Sequence, residues 1–298
     1  MEPILSIEGI SKSYGSIKAL QNVSYEVPKA AVFGLLGPNG SGKTTMLSIL
    51  LDILKSDTGS FNWFGKPGSP ETRKRIGSLL ETPNFYHYLS AVDNLKITSA
   101  ISGRGNDQSI DDVLKIVNLY ERRNSRFSTY SLGMKQRLAI GAALLGNPEV
   151  LLFDEPTNGL DPVGIAEIRE LIKSLAKQGK TIIMASHLLD EVEKVCTHVA
   201  IMKRGKLMAA GPVDEVLANE DIVELAASDS LHLKSILDNF PGIISIKEHG
   251  HFIQLHFPIG KAPMEAINRY CFEKDIVLNQ LILKKKSLET KFFELTND

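Results

Sequence analysis

The sequence is poor in most features that would set it apart from an ordinary globular protein. Its 298 residues include two cysteines and one tryptophan. Cys196 and Cys271 lie far apart and form no metal-spaced pair, which suits a reducing cytosol. Charge of neither sign dominates. Thirty-four basic residues stand against 35 acidic ones, a net charge of −1. There is therefore no basic field to point to nucleic acid or to an anionic membrane surface. Long apolar runs are also missing. Those in "VLLFDEP" and "TIIMASH" are far too short to span a bilayer. A membrane role would have to come through a partner. The start, "MEPILSIEGISKSYG", lacks a charged segment followed by a long apolar run, so no secretory signal is expected. Long repeats and low-complexity segments are not found. What remains is 43% hydrophobic and 23% charged, an ordinary globular balance. The length suits one large domain plus a small one, or two comparable domains.

The apolar pattern alternates between strand and helix. "ILSIEGI" (4–10) and "ALQNVSYEV" (19–27) read as strands. "AAVFGLLG" (30–37) reads as a strand buried on both faces, followed by a helix from Lys43 to about Leu54. "GSFNWFG" and "IGSLL" read as further strands. Residues from about 91 to 146 turn helical. Strands return at 150–154, 180–186 and 198–204, with helices between them. Alternation of this kind predicts a mostly parallel sheet covered on both faces, here with a helical insert. After about Asp221 the style changes to helix (231–239), strand (243–248), strand (251–257), helix (263–274), strand (276–284) and helix (287–295). This predicts a small α+β appendage. The spacing of its histidines suggests strand faces and not a metal site.

Two motifs carry chemistry. "GPNGSGKTT" (37–45) fits G-x-x-x-x-G-K-[ST] between an apolar strand and a helix. Across Gly37, Pro38, Asn39, Gly40, Ser41 and Gly42 the glycines let the backbone curl, so that the N–H groups it carries point inward as an anion nest. The helix start beyond them adds partial positive charge, and the nucleotide-binding stretch runs to Thr45. Lys43 reaches the β- and γ-phosphates, and the Thr44 hydroxyl suits Mg²⁺. "VLLFDEP" (150–156) is an apolar strand ending in two acids. Successive strand residues face opposite ways, so the two can take different tasks. Asp154 is the candidate Mg²⁺ holder and Glu155 the candidate base for an attacking water.

With these motifs in order, residues 4–220 resemble the nucleotide-binding subunit of an ATP-binding-cassette (ABC) transporter. The resemblance implies an α/β P-loop NTPase with a parallel-sheet core and a helical insert, plus the small C-terminal α+β domain. The expected division is a nucleotide-binding domain at 1–222, its helical subdomain at about 86–146, and an accessory domain at 223–298. By the same resemblance Tyr14 stacks on adenine, "NGLD" with Asp161 is the D-loop, and His187 in "ASH" senses the γ-phosphate. "YSLGM" (130–134) stands where the family carries its signature, usually Leu-Ser-Gly-Gly-Gln. There Ser131 and Gly133 would clasp the γ-phosphate bound by a partner subunit, which implies a symmetric dimer. Leu132 and Met134 depart from that pattern. Glu81 departs too, standing where the family usually has a glutamine that faces Mg²⁺ or the lytic water.

These departures, and "KKKSLETKFFELT" (284–296), resemble the subgroup that serves ABC-2-type exporters, including bacitracin and lantibiotic self-resistance systems. The implied protein binds ATP and Mg²⁺. It works as a homodimer of ATPase subunits on a separate transmembrane permease, at the cytoplasmic face of the plasma membrane, with no nucleic-acid partner. The aromatic run "NFYHY" (84–88) is either core of the helical insert or a surface for that permease. Two other readings compete. One is a soluble cassette ATPase acting on ribosomes or nucleic acid, against which stand a single phosphate loop (the family's Walker A, 37–45), no heptad run and no basic excess. The other is a nucleotide sensor without turnover, against which stand Asp154, Glu155 and His187.

Overall fold

The computed structural model describes residues 2–80, 84–217, 220–258 and 260–284, together with Leu288 and Phe292. Two compact units make up the chain, Met1–Gly211 and Pro212–Asp298. The expected boundary at 222/223 falls inside a strand of the second unit.

In the first unit the order is β1 (Leu5–Tyr14), β2 (Ile17–Val27), β3 (Val32–Leu36), α1 (Lys43–Leu50), β4 (Thr58–Trp63), β5 (Lys66–Pro67), α2 (Pro70–Lys74) and β6 (Ile76–Leu79). The helical insert follows as α3 (Ala91–Ser102), α4 (Asp107–Ile116) and α5 (Leu132–Leu144). The chain then returns through β7 (Val150–Asp154), α6 (Pro162–Lys177), β8 (Thr181–Ser186), α7 (Leu189–Val195), β9 (His198–Lys203) and β10 (Lys206–Pro212).

The central sheet has the order β10-β9-β3-β8-β7-β6, and β3, β8, β7 and β6 run parallel, as do β3 and β9. Every residue of β3, β7 and β8 is buried. That explains why these strands read as unbroken apolar runs and not as alternating ones. A second, antiparallel sheet, β2-β1-β4-β5, shares a core with it through Met46, Leu47, Ile49 and Leu50 of α1. Because β3, β8 and β7 are parallel neighbours, their carboxyl ends finish side by side. Ligands of open α/β sheets gather at that edge.

The second unit holds α8 (Val213–Leu217), β11 (Glu220–Ala227), α9 (Ser230–Leu237), β12 (Ser245–His249), β13 (Phe252–Pro258), α10 (Met264–Glu273) and β14 (Leu278–Lys284). Its sheet order is β12-β13-β11-β14 with antiparallel pairings, a ferredoxin-like β-α-β-β-α-β arrangement. Val223, Leu225, Ile253 and Leu255 pack with Leu233, Leu237 and Ile267 of the two helices. The sequence reading missed β10 and β11. β11 carries Glu224, which is 3% exposed. Its carboxylate accepts from Gln254 Nε2 at 3.1 Å, Gln280 Nε2 at 3.0 Å and Lys284 Nζ at 2.7 Å. The expected helix at 287–295 lies outside the described residues except for Leu288 and Phe292.

Candidate nucleotide site

The loop after β3 turns sharply because its glycines allow it. Gly40 and Gly42 have φ of 78° and 106°, in the left-handed region that side chains disfavour. A Cβ on Gly37 would lie 2.3 Å from Ser41 Oγ and 2.6 Å from the Met202 carbonyl oxygen, so only glycine fits. α1 begins at Lys43 directly after Gly42 and aims its N-terminus into this loop.

Lys43 is 6% exposed. Its ammonium donates to the Gly37 carbonyl at 2.8 Å and the Pro38 carbonyl at 3.4 Å, and stands 3.8 Å from Glu155 Oε1. Burial pulls its pKa below the ordinary lysine value, while the charges of Glu155 and Asp154 pull the other way. The hydroxyl of Thr44 donates to Asp154 Oδ2 at 2.8 Å. Ser41 Oγ is buried and makes no hydrogen bond among the described residues, an orphan that a ligand oxygen would satisfy.

Glu155 follows β7 with φ 48°, an unusual value for a residue with a side chain. The bend is fixed by its N–H donating to the Ala185 carbonyl of β8 at 3.0 Å. Its Oε2 lies 2.8 Å from His187 Nδ1, just past the end of β8. Three neighbouring strand ends thus bring a lysine, a carboxylate and an imidazole together.

Lys43, Thr44, Asp154 and Glu155 border an open cleft of about 1050 Å³, which continues past Thr45 and Asn39 to Tyr14, Lys18 and Arg204, while His187 stands behind Glu155 and does not line it. Tyr14 is half-exposed at its far end. Lys18, Gln21 and Arg204 were not singled out from the sequence, whereas Asn158, which also borders the cleft, opens the "NGLD" motif. Basic and amide side chains at strand ends and turns are usually solvated, so nothing in the type or spacing of Lys18, Gln21 and Arg204 marked them. Leu132 and Gln136 also border the cleft.

Ser131 does not border it. Its side chain caps α5, accepting from the Met134 N–H at 3.3 Å. A Cβ on Gly133 would meet no described atom within 4 Å, so packing inside this chain does not require glycine there. Leu132 Cδ2 sits 3.4 Å from where a Cβ on Gly159 would be, so it packs on the turn after β7. Asp161 caps α6, its Oδ1 accepting from the Gly164 N–H at 2.9 Å. Glu81 lies outside the described residues. The aromatic run divides. Phe85 and His87 pack edge-on against Phe127 at 5.2 and 5.5 Å, while Tyr86 and Tyr88 are 50% and 69% exposed.

The hydroxyl and carboxylate oxygens of Thr44 and Asp154 are hard donors of the kind Mg²⁺ takes, so this pair fits that ion. Among the described residues no helix is long and apolar enough to cross a membrane.

Comparison with known proteins agrees with this geometry. The family described as ABC transporter matches residues 20–158. The bacitracin transport ATP-binding protein BcrA of Bacillus licheniformis is 37% identical over 99% of this chain and 98% of its own length. The lantibiotic transport ATP-binding protein SrtF of Streptococcus pyogenes is 39% identical over 74% of this chain and 95% of its own. Among solved structures, a nucleotide-free ATP-binding cassette from an ABC transporter superposes with a TM-score of 0.66 at 26% identity, over 71% of this chain and 92% of that one. The chain belongs to the ATP-binding, ATP-hydrolysing subunits of ABC transporters.

Proposed function

We propose that this chain is the ATPase of an ABC-2-type exporter of peptide antibiotics or similar amphipathic substrates. The observation that carries the catalytic part is the convergence of Lys43, Glu155 and His187, with Glu155 Oε2 2.8 Å from the imidazole and Oε1 3.8 Å from the ammonium. The export assignment is supported by the near full-length similarity to the bacitracin relative.

In this reading the loop 37–42 and Lys43 hold the phosphates, and Tyr14 stacks on the adenine. Thr44 and Asp154 hold Mg²⁺, and by the family pattern Glu81 is a further candidate for it. When bound, that ion neutralises charge on the β- and γ-phosphates. Glu155 orients the attacking water and takes its proton. His187, bonded to the same carboxylate, fixes the direction of that group and reads the γ-phosphate. An arriving γ-phosphate competes with Glu155 for Lys43, which frees the carboxylate for the water.

The α5 start, with Ser131 exposed and Gly133 open, serves the nucleotide of a second copy. The D-loop with Asp161 flanks the same interface. Two chains then close over two ATP molecules, and closure moves the permease at the cytoplasmic face of the membrane. Tyr86 and Tyr88 supply exposed aromatic surface for that permease. The first unit carries the ATP chemistry, and the second is an accessory domain.

The test is Glu155→Gln. This variant should bind ATP with affinity close to the parent, lose hydrolysis by about 10²-fold or more, and accumulate as an ATP-dependent dimer in analytical ultracentrifugation. Full turnover by it would remove Glu155 as the base.

A further inference from the structure

We infer that Asp57, in the loop before β4, is a positioning residue for the nucleobase, because it fixes the strand end that carries Tyr14. The inference rests on the reading of Tyr14 as the stacking residue.

Tyr14 is the last residue of β1, and Gly15 follows it in the left-handed region with φ 57°. The ladder that should hold this strand end is irregular. Pairing with β2 shifts register between Ile10 and Lys12 and again between Lys12 and Ser13. Pairing with β4 shifts between Glu8 and Ser11. Pairing with β2 resumes beyond these shifts, at Ser13↔Lys18 and Tyr14↔Ile17, but pairing with β4 ends at Ser11↔Thr58, so on that side no strand partner holds the residues that lead to Tyr14.

Asp57 ties down the three residues that precede Tyr14. Its N–H donates to the Ser11 carbonyl at 2.8 Å. Its Oδ1 accepts from Lys12 Nζ at 2.8 Å, and its Oδ2 accepts from the Ser13 N–H at 2.7 Å. The Lys12 hydrogen bond, seconded by Ser13, holds the carboxyl below the usual aspartate range, so it is ionised at neutral pH. Lys12 and Tyr14 share one face of the strand by alternation. The Lys12 ammonium lies 5.9 Å from the Tyr14 ring centroid. A cation on one face of the ring leaves the other face for a base. Asp57 thus sets the backbone under Tyr14 and the cation beside its ring.

The experiment is calorimetric titration of the full chain with Mg-ATP and, separately, with inorganic tripolyphosphate. The variants are Tyr14→Ala, Asp57→Ala, Asp57→Asn and Tyr14→Ala/Asp57→Ala. Asp57→Ala should weaken ATP on the order of five-fold and leave tripolyphosphate unchanged, because only the base is affected. It should add nothing to the loss already caused by Tyr14→Ala. Asp57→Asn, which keeps an acceptor for Ser13 without the charge for Lys12, should fall between, and it carries the same comparison if Asp57→Ala does not fold. If Tyr14→Ala weakens ATP and neither Asp57 variant does, the positioning role is wrong and stacking stands. If both ligands weaken alike in the Asp57 variants, Asp57 only supports the fold and the inference is overturned. If Tyr14→Ala binds ATP as the parent does, the stacking reading fails and takes this inference with it.

Discussion

At the scale of single residues, Lys43 shows what a ligand site costs its own fold. A buried ammonium gives up hydration, and its two carbonyl partners and distant carboxylate return only part of it. Lys43→Met keeps the apolar stem and removes the charge. Urea unfolding of this variant should give a stability within about 1 kcal/mol of the parent, since lost hydrogen bonds and relieved desolvation offset each other. ATP binding measured by calorimetry should disappear. A variant that still bound ATP normally would sink the phosphate-loop assignment. This part of the site was legible because it is local. Residues 37–45 hold the loop, the lysine and the helix start in one stretch, and Asp154 and Glu155 adjoin each other. Asp57 was not legible, because its partners Lys12 and Ser13 lie more than forty positions away. No spacing rule links an aspartate before one strand to a tyrosine ending another.

At the scale of elements, the buried parallel strands were readable from composition alone, whereas β11 was not. "EDIVELAA" reads as an acidic surface segment until its middle glutamate is seen bonded to Gln254, Gln280 and Lys284 on two neighbouring strands. A buried acid is acceptable only when it is fully partnered, and those partners are set by tertiary pairing. The pair that links α6 to α7 is of the same long-range kind. Arg169 Nη1 lies 3.1 and 3.0 Å from the two Glu191 oxygens, and Glu191 is only 13% exposed. α7 begins two residues after His187, so this pair anchors the segment that carries the imidazole. Glu191→Gln should lower stability by about 1–2 kcal/mol in urea unfolding, by leaving the guanidinium poorly matched. It should also lower kcat more than it raises KM for ATP. Unchanged turnover would show that His187 is held by β8 and Glu155 alone.

At the scale of the whole molecule, the order of motifs along residues 4–220 made the family readable before any coordinates. The reason is that Tyr14, the phosphate loop, the Asp154–Glu155 pair and His187 each sit at the end of a strand, in sheets of fixed connection rules, while the signature opens a helix of the insert. The division between units was less legible, since β11 looked like a continuation of the first domain's tail. The proposed dimer rests on surface that one chain leaves open. Tyr14 is half-exposed, and a Cβ on Gly133 would meet no described atom within 4 Å. The central claim is that ATP turnover at Glu155 drives a separate membrane protein. It is tested most directly by solubilising native membranes in mild detergent, purifying this chain, identifying what accompanies it by mass spectrometry, and assaying ATPase activity of the isolate. The account predicts a stoichiometric polytopic membrane protein and an ATPase activity that the Glu155→Gln chain lacks. Recovery only from the soluble fraction, with ribosomal or DNA-bound partners, would contradict the transporter role while leaving the ATPase chemistry in place.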